Sequence, residues 1–374
     1  MTAFNKLAKG LKELSPSALR EIIAIVVILS LSVALNIPQF SRDLKTAALE
    51  KEMLKDDGYF QYSRPEDQGM DKAVLDEGAR SLSKTSAMSL IVLRNGKIVY
   101  EKYYDAKGAN NVYSVTKSFM SALIGIAINK GYIGSENDTV EKYLPDYFKN
   151  LSDPRWKRIT IKHLLTMTPG FLEELDQWTS TGDWVQATFS LPLKYDPGSK
   201  FQYANSASHM LSVILTKATG MSTRDFADQY LFGPLGIKCS AWSADPSGFY
   251  TGYANLYLTP YDLAKFGWLY YRQGKWGNTQ VVPKEWVSKS TEVQYDFNKE
   301  KASGNENGYG YKWWINSASG YHSFNALGYG GQSITVFPDV GIVAVITSNP
   351  GGTYINDEQR IQFLKDCVIG AIKK

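Results

Sequence analysis

Residues Ser114 to Lys130 read SVTKSFMSALIGIAINK, and this is the most apolar helical pattern after the N-terminal region of the chain. Its apolar side chains recur at helical spacing, and Gly131 follows as a stop signal. The apolar positions are Phe119, Ala122, Leu123, Ile126 and Ala127. The pattern predicts a mostly buried helix that starts at or just before Ser114.

Ser114 and Lys117 stand three residues apart at the start of this helix, so their side chains share one face. The positive end of the helix dipole favours anionic charge that develops at a serine in this position. Burial in an apolar helix lowers the pKa of a lysine and allows a neutral amine to accept the serine proton. Ser81 and Lys84 have the same spacing, but they lie in the polar stretch SLSKTS, which indicates a loop or a helix end.

On the N-terminal side of this helix, residues 89–104 read SLIVLRNGKIVYEKYY, and Asn95-Gly96 predicts a hairpin turn between two strands. On the far side, residues 332–337 and 341–348 predict adjacent strands, and residues 357–373 a closing amphipathic helix. Helix start signals dominate the region from about 138 to 290. We therefore expect an α/β (α+β) fold, in which both ends of the chain build an antiparallel sheet around an inserted, mostly helical region.

The composition indicates an ordered globular protein, because the 374 residues are 44% hydrophobic and 13% aromatic. The net charge is only +4 and part of it lies near the N-terminus, which argues against nucleic-acid binding. Cys239 and Cys367 are the only cysteines, and they are either free or form one bond. The sequence lacks the spacings typical of metal sites and of nucleotide-binding loops, so it implies no metal and no cofactor.

The first seventy residues divide into two parts. Ile22 to Ile37 form an uncharged run that follows several basic residues and ends at Pro38, so residues 1–40 predict a cytoplasmic tail with a membrane anchor. A cleaved export signal and a buried helix are the alternatives. Residues 41–70 are charged and predict a linker, followed by a domain over residues 71–374 outside the cytoplasm, periplasmic or extracellular, or secreted if the signal is cleaved.

Three triplets of the form Tyr-x-Asn follow later in the chain, at Tyr203, Tyr253 and Tyr354. Only Tyr203-Ala204-Asn205 is preceded by PGSKFQ and followed by a helix pattern that ends in Gly220. With SVTK, HLLTMTPGF (163–171), LFGPLGI (231–237) and LTPYDLAKFG (258–267), the chain resembles the serine β-lactamase and penicillin-binding-protein superfamily. The resemblance is to its class C-like branch, which includes esterases, D,D-peptidases and 6-aminohexanoate-dimer-hydrolase-like amidases.

This resemblance implies a nucleophile at Ser114, its partner at Lys117 and a second proton shuttle at Tyr203. Asn205 would orient Lys117 and bind the substrate's carbonyl side. The family's third motif, Lys-Thr-Gly, has its nearest match in Tyr329, Gly330, Gly331 and Gln332, where the lysine is missing. A backbone N–H, assigned to Gln332, would complete an oxyanion hole with that of Ser114. Trp178 either walls the substrate cleft or packs within a loop.

The sequence therefore predicts a serine hydrolase that forms an acyl-enzyme with a small ester, amide or peptide. Because Tyr329 stands where a cation would meet a carboxylate, penicillin is not expected to be the main substrate. A D,D-peptidase or weak β-lactamase and a catalytically silent binding protein are the alternatives. The sequence leaves the acyl group and the oligomeric state open.

Overall fold

The computed structural model describes residues 59–105, 108–149, 151–172, 177–300, 307–317 and 319–373. The predicted anchor or signal in residues 1–40 lies outside these ranges. Among the described residues, no helix is both long and apolar enough to cross a membrane. Cys239 and Cys367 both fall in the described part, and each is a free thiol.

Within these ranges the strands are short at the edges and long in the centre. They are β1 (Gln61–Tyr62), β2 (Ala87–Arg94), β3 (Lys97–Tyr103), β4 (Asn110–Asn111), β5 (Ala241–Trp242), β6 (Leu256–Leu258), β7 (Lys275–Trp276), β8 (Thr279–Gln280), β9 (Tyr295–Asp296), β10 (Gly308–Tyr309), β11 (Trp314–Asn316), β12 (Ser323–Gly328), β13 (Gln332–Phe337) and β14 (Ile342–Ser348).

Nine of these strands form the main sheet, in the order β1-β3-β2-β14-β13-β12-β11-β10-β9. The pair β1 and β3 is parallel, and the other neighbouring strands are antiparallel. At its centre, β2 from the first part of the chain pairs with β14 from the last part, with Val92 opposite Ala344. The predicted antiparallel sheet from both chain ends is confirmed.

The hairpin between β2 and β3 is also confirmed. Asn95 and Gly96 connect the two strands with φ of 52° and 80°. A type I′ turn requires positive φ at both central residues, and Asn and Gly adopt such values most easily. The local sequence alone therefore determined this turn.

Helices cover both faces of the main sheet and fill the region between β4 and β9. Over the described residues they are α1 (Lys72–Leu82), α2 (Thr116–Asn129), α3 (Val140–Tyr143), α4 (Pro145–Phe148), α5 (Ile161–Leu165), α6 (Trp184–Phe189), α7 (Asn205–Thr219), α8 (Thr223–Ala227), α9 (Gly233–Leu235), α10 (Pro260–Tyr271), α11 (Lys284–Thr291) and α12 (Asp357–Phe363), which continues as a π-helical turn, Leu364–Ile369.

Helix α2 is the predicted apolar helix, and its side chains from Thr116 to Ala127 are all buried. Phe119 stacks on Phe266 of α10, with ring centroids 3.8 Å apart. On another face, Gly125 lies against Trp286 of α11, where an added Cβ would come within 2.3 Å of the indole ring. The helix that carries Ser114 and Lys117 is thus fixed on several sides.

Residues 59–70, which the sequence placed in a linker, pack on the domain. Strand β1 adds to the edge of the main sheet beside β3. The Phe60 ring is buried, and Tyr59 stacks on Trp276 at 3.6 Å between centroids. Met70 is fully buried and bridges to Ile372 near the C-terminus. Few aliphatic residues occur here, so the hydropathy pattern did not indicate that this segment belongs to the domain. Aromatic packing and strand pairing hold it there.

Candidate active site

Ser114 lies in a tight turn that leads directly into α2. The turn, Tyr113–Val115, is a 3-10 helix, and Tyr113 has the unusual φ of 47°. Asn111 stabilises this conformation, because its side-chain oxygen accepts a hydrogen bond from the Tyr113 N–H at 2.8 Å. The serine side chain is therefore presented at the N-terminal end of the helix, where the helix dipole favours negative charge.

The amine of Lys117 is enclosed by polar partners. Its Nζ lies 2.8 Å from Ser114 Oγ, 2.8 Å from Asn205 Oδ1 and 3.0 Å from the carbonyl oxygen of Tyr253. The lysine is only 2% exposed. A buried amine in contact with a serine hydroxyl is the geometry that allows proton exchange between the two groups.

Tyr203 and Asn205 reach this site from the start of α7. The segment before them is held by the loop at 166–170, since Gln202 N–H donates to the Met167 carbonyl at 2.7 Å and Gly198 N–H to that of Thr168 at 2.8 Å. The Tyr203 ring centroid lies 4.9 Å from Lys117 Nζ, and 40% of this residue is exposed. The tyrosine therefore faces both the amine and the solvent.

Aromatic packing fixes the Tyr203 ring. It stacks on Trp314 at 5.9 Å with an interplanar angle of 19°. Tyr309 is fully buried nearby, where burial and, secondarily, the neighbouring Tyr203 raise its pKa well above the usual value. Tyr309 consequently stays neutral, and Tyr203 is the more accessible of the two phenols.

The structure brings a second triplet, at Tyr253, to the same amine. Its ring centroid lies 5.6 Å from Lys117 Nζ, in addition to the contact through its carbonyl. The third triplet has another role, because Asn356 caps α12 by accepting from the Gln359 N–H. The sequence favoured Tyr203 alone as the second proton shuttle, whereas the structure places both Tyr203 and Tyr253 beside Lys117.

The third motif forms the turn between β12 and β13. Gly330 and Gly331 have φ of 78° and 88°, and an added Cβ at Gly330 would lie 2.4 Å from Pro350. Gly328 ends β12 beside the turn that carries Ser114, where an added Cβ would lie 2.4 Å from the Val112 carbonyl oxygen. Glycine at 328 lets the end of β12 approach the turn that carries Ser114, and glycine at 330 lets the β12–β13 turn approach Pro350.

Tyr329 and Gln332 point in different directions from this turn. Tyr329 is 62% exposed, and its ring meets the edges of Tyr113 at 5.7 Å and Tyr354 at 5.8 Å. Gln332 is buried, and its side-chain amide bonds the backbone of Ser348 in β14. The aromatic wall beside the serine therefore comes from Tyr329, and Gln332 can face substrate only through its backbone.

Trp178 packs inside the protein rather than at the cleft surface. Its buried ring contacts Trp184, His209 and Tyr253 at centroid distances of 5.2, 5.7 and 5.5 Å. Of the two roles considered for Trp178, a cleft wall and packing within a loop, the structure supports packing. Ser81 lies at the end of α1 and donates to the Gly78 carbonyl, as expected for a helix end.

Sequence reasoning missed the link between Asn111 and Asn255. Asn111 Nδ2 donates to Asn255 Oδ1 at 2.9 Å, and the Asn255 N–H donates back to Asn111 Oδ1 at 3.1 Å. This pair joins the turn that carries Ser114 to the loop that carries Tyr253. Asn255 belongs to the second triplet, so that triplet itself was the available signal.

Comparisons with known proteins show the family of this chain. A family model described as Beta-lactamase matches residues 75–364. An uncharacterized protein of Alkalihalophilus pseudofirmus is 26% identical over 312 residues, which are 72% of this chain and 85% of that protein. Esterase EstB of Burkholderia gladioli is 26% identical over 218 residues, but the match covers 48% of this chain and only 53% of the esterase.

Solved structures share the fold. A proposed 6-aminohexanoate-dimer hydrolase from Bacillus anthracis superposes with a TM-score of 0.63 at 22% identity, covering 78% of this chain and 80% of that one. The family model spans most of the chain and includes Ser114, Lys117 and Tyr203. The chain therefore belongs to the beta-lactamase family.

Proposed function

We propose that this protein is a serine hydrolase that cleaves a neutral ester or amide through an acyl-enzyme on Ser114. The observation that carries the proposal is the buried amine of Lys117, 2.8 Å from Ser114 Oγ and held by acceptors from two other segments. A lysine fixed in this way serves the hydroxyl as a proton acceptor rather than as a surface charge.

In the proposed acylation, Ser114 Oγ attacks the substrate carbonyl while its proton passes to the group formed by Lys117 and Tyr203. The oxyanion is bound by the backbone N–H of Ser114 and by one from the turn at 329–332, for which the sequence suggests Gln332. Collapse of the tetrahedral intermediate breaks the ester or amide bond, and the departing alcohol or amine takes the proton. Water then attacks the acyl-enzyme with Tyr203 as general base, the bond from the acyl carbon to Ser114 Oγ breaks, the acid is released and the proton returns to Ser114.

A neutral substrate is proposed because the wall beside Ser114 is aromatic. By the resemblance, Tyr329 stands in the place of the family's cationic residue, and the rings of Tyr113 and Tyr354 lie against it. A carboxylate would find no charge-assisted partner in these three side chains, whereas an uncharged acyl group gains apolar contact.

Labelling with a fluorophosphonate probe tests the assignment. We expect the wild type to be labelled at Ser114 and to hydrolyse a short-chain ester, whereas Ser114→Ala and Lys117→Ala each lose nearly all turnover. The double variant should be no worse than either single one, because members of one proton network are not additive. Ser81→Ala is the matched control and should behave as wild type.

Three outcomes separate the alternatives. A wild type that is neither labelled nor active on any ester, amide or peptide would indicate a binding protein without turnover. Labelling only by a penicillin-derived probe, with release of D-alanine from a D-Ala-D-Ala peptide, would indicate a cell-wall peptidase. Wild-type rates in Ser114→Ala would exclude Ser114 as the nucleophile.

For the N-terminal segment we propose a membrane anchor that holds the domain outside the cytoplasm. The support is the uncharged run from Ile22 to Ile37 behind basic residues. Fractionation of cells that express the full chain, beside a version without residues 1–40, should place only the former in the membrane. Recovery of the full chain in the soluble fraction, with an intact N-terminus, would contradict the anchor.

A further inference from the structure

The two acceptors that hold Lys117 belong to separate segments of the chain. Asn205 is the first residue of α7, and Tyr253 lies in the loop between β5 and β6. The Tyr253 carbonyl keeps its 3.0 Å contact with the Lys117 amine only if the loop has one fixed position relative to α2, which packs on α7. Something must therefore tie the loop to α7.

Ser212 Oγ on α7 donates to the Tyr250 carbonyl of the loop at 2.6 Å, and a buried pair of side chains provides a second tie. His209 lies one turn after Asn205 on α7, and its Nε2 is 3.0 Å from Oδ2 of Asp245, which belongs to the Tyr253 loop. Both side chains are 0% exposed. The second oxygen of Asp245 accepts from the Phe249 N–H at 2.8 Å, so the same carboxylate also shapes the loop.

The backbone of the loop rests directly on this turn of the helix. An added Cβ at Gly252 would lie 2.2 Å from the Ser208 carbonyl oxygen, so only glycine permits the contact. Trp178 and Trp184 cover the imidazole, with centroids 5.7 and 5.5 Å from that of His209. Gly252 is next to Tyr253, and any shift of the loop on α7 moves the Tyr253 carbonyl.

Stability alone does not account for a charged group at this position. Burial by itself raises the pKa of the Asp245 carboxyl, but the hydrogen bonds from His209 and from the Phe249 N–H outweigh burial and lower it. The carboxylate is therefore ionised at neutral pH inside the protein. Apolar side chains of similar volume stabilise a fold as well or better, whereas a hydrogen-bonded pair specifies one geometry.

We propose that His209 and Asp245 are a positioning pair for Lys117. The pair fixes the β5–β6 loop on α7, so that the Tyr253 carbonyl and Asn205 hold the amine against Ser114. The inference rests on the proposed function, since it assigns the pair a role in catalysis through Lys117.

The test compares pH profiles of ester hydrolysis. In His209→Leu the loop loses this tie to α7, and the shifted Tyr253 carbonyl stabilises the ammonium form of Lys117 less. We expect kcat/KM at its plateau to fall about tenfold, and the acidic limb of the profile, which reports Lys117 protonation, to move to lower pH. His209→Gln, which keeps a donor for Asp245, should restore most of the activity and the position of the limb.

Thr335→Val is the matched control. Thr335 is also fully buried, and its Oγ1 donates to Asn325 Oδ1 at 2.8 Å between β13 and β12, a hydrogen bond that involves none of the partners of Lys117. Loss of this bond should lower the melting temperature and leave the limb in place. If His209→Leu does not fold, Asp245→Asn makes the same comparison, because it keeps the shape and removes the charge.

An unmoved limb in folded His209→Leu or Asp245→Asn, with activity lost only in proportion to the unfolded fraction, would overturn the inference and leave the proposed function intact. A wild type without ester turnover and without a labelled Ser114 would overturn both. The two failures are therefore distinguishable.

Discussion

Tyr203 and Tyr253 both lie beside the amine of Lys117, and their surroundings separate their roles. Tyr203 is exposed to solvent, whereas Tyr253 has its ring packed against Trp178 and contacts Lys117 through its backbone carbonyl. We predict that Tyr203→Phe lowers kcat for an ester about a hundredfold, the typical contribution of a general base. Tyr253→Phe keeps the carbonyl and should cost far less, as steady-state kinetics would show.

Tyr62→Phe is the control for this comparison, because that exposed hydroxyl donates to Glu101 far along the sheet edge. If Lys117 alone supports acylation, acyl-enzyme should also accumulate on Ser114 in Tyr203→Phe, and intact-protein mass spectrometry would detect the added mass. Full kcat in Tyr203→Phe with its loss in Tyr253→Phe would instead make Tyr253 the proton shuttle.

A second prediction at the scale of the residue concerns Tyr329 and the choice between ester and penicillin. We expect kcat/KM for a neutral short-chain ester to exceed that for any penicillin, measured on the same preparation. The loss of one charge-assisted contact to a carboxylate is worth about 1.5 to 3 kcal/mol, or roughly tenfold to a hundredfold. Penicillin hydrolysis faster than that of every ester tested would show that another cation replaces the family lysine.

At the scale of the element, the position of α2 depends on a glycine. Gly125 faces the Trp286 ring, and a methyl group there would lie 2.3 Å from it. We predict that Gly125→Ala lowers the free energy of unfolding by about 1 to 3 kcal/mol, since a well-packed core does not accept added volume. Thermal denaturation measures the effect.

Gly182→Ala is the matched control, because no atom lies within 4 Å of the position that its Cβ would take. Alanine also has the higher intrinsic helix propensity, which works against the predicted loss at Gly125. An unchanged melting temperature in Gly125→Ala would mean that α11 can shift away from α2 at no cost.

At the scale of the whole molecule, the domain includes residues before Asp71. Phe60 is buried against the core and β1 extends the sheet, so a truncated chain that begins at Asp71 loses both. Burial of one large apolar side chain contributes about 1.5 to 3 kcal/mol. We predict a lower melting temperature than for a chain that begins at Asp57, by calorimetry, and equal values would show that residues 59–70 add no stability.

The sequence by itself determined the features that depend on short separations along the chain. Ser114 and Lys117 face each other because three residues on a helix make nearly one turn. The turn at Asn95-Gly96 follows from the positive φ that these residues tolerate. The apolar periodicity of α2 likewise predicted its burial, because a helix that is apolar on most faces must be covered.

Only the tertiary structure decided which groups complete the site. The Tyr253 carbonyl is a backbone group, which every residue possesses, so no residue type marks it in a sequence. Its place beside Lys117 depends on the contact of Gly252 with α7 and on the pairing of Asn111 with Asn255, 144 positions apart. Contacts of this separation form when the whole chain packs, because loop position is set by distant partners rather than by local propensity.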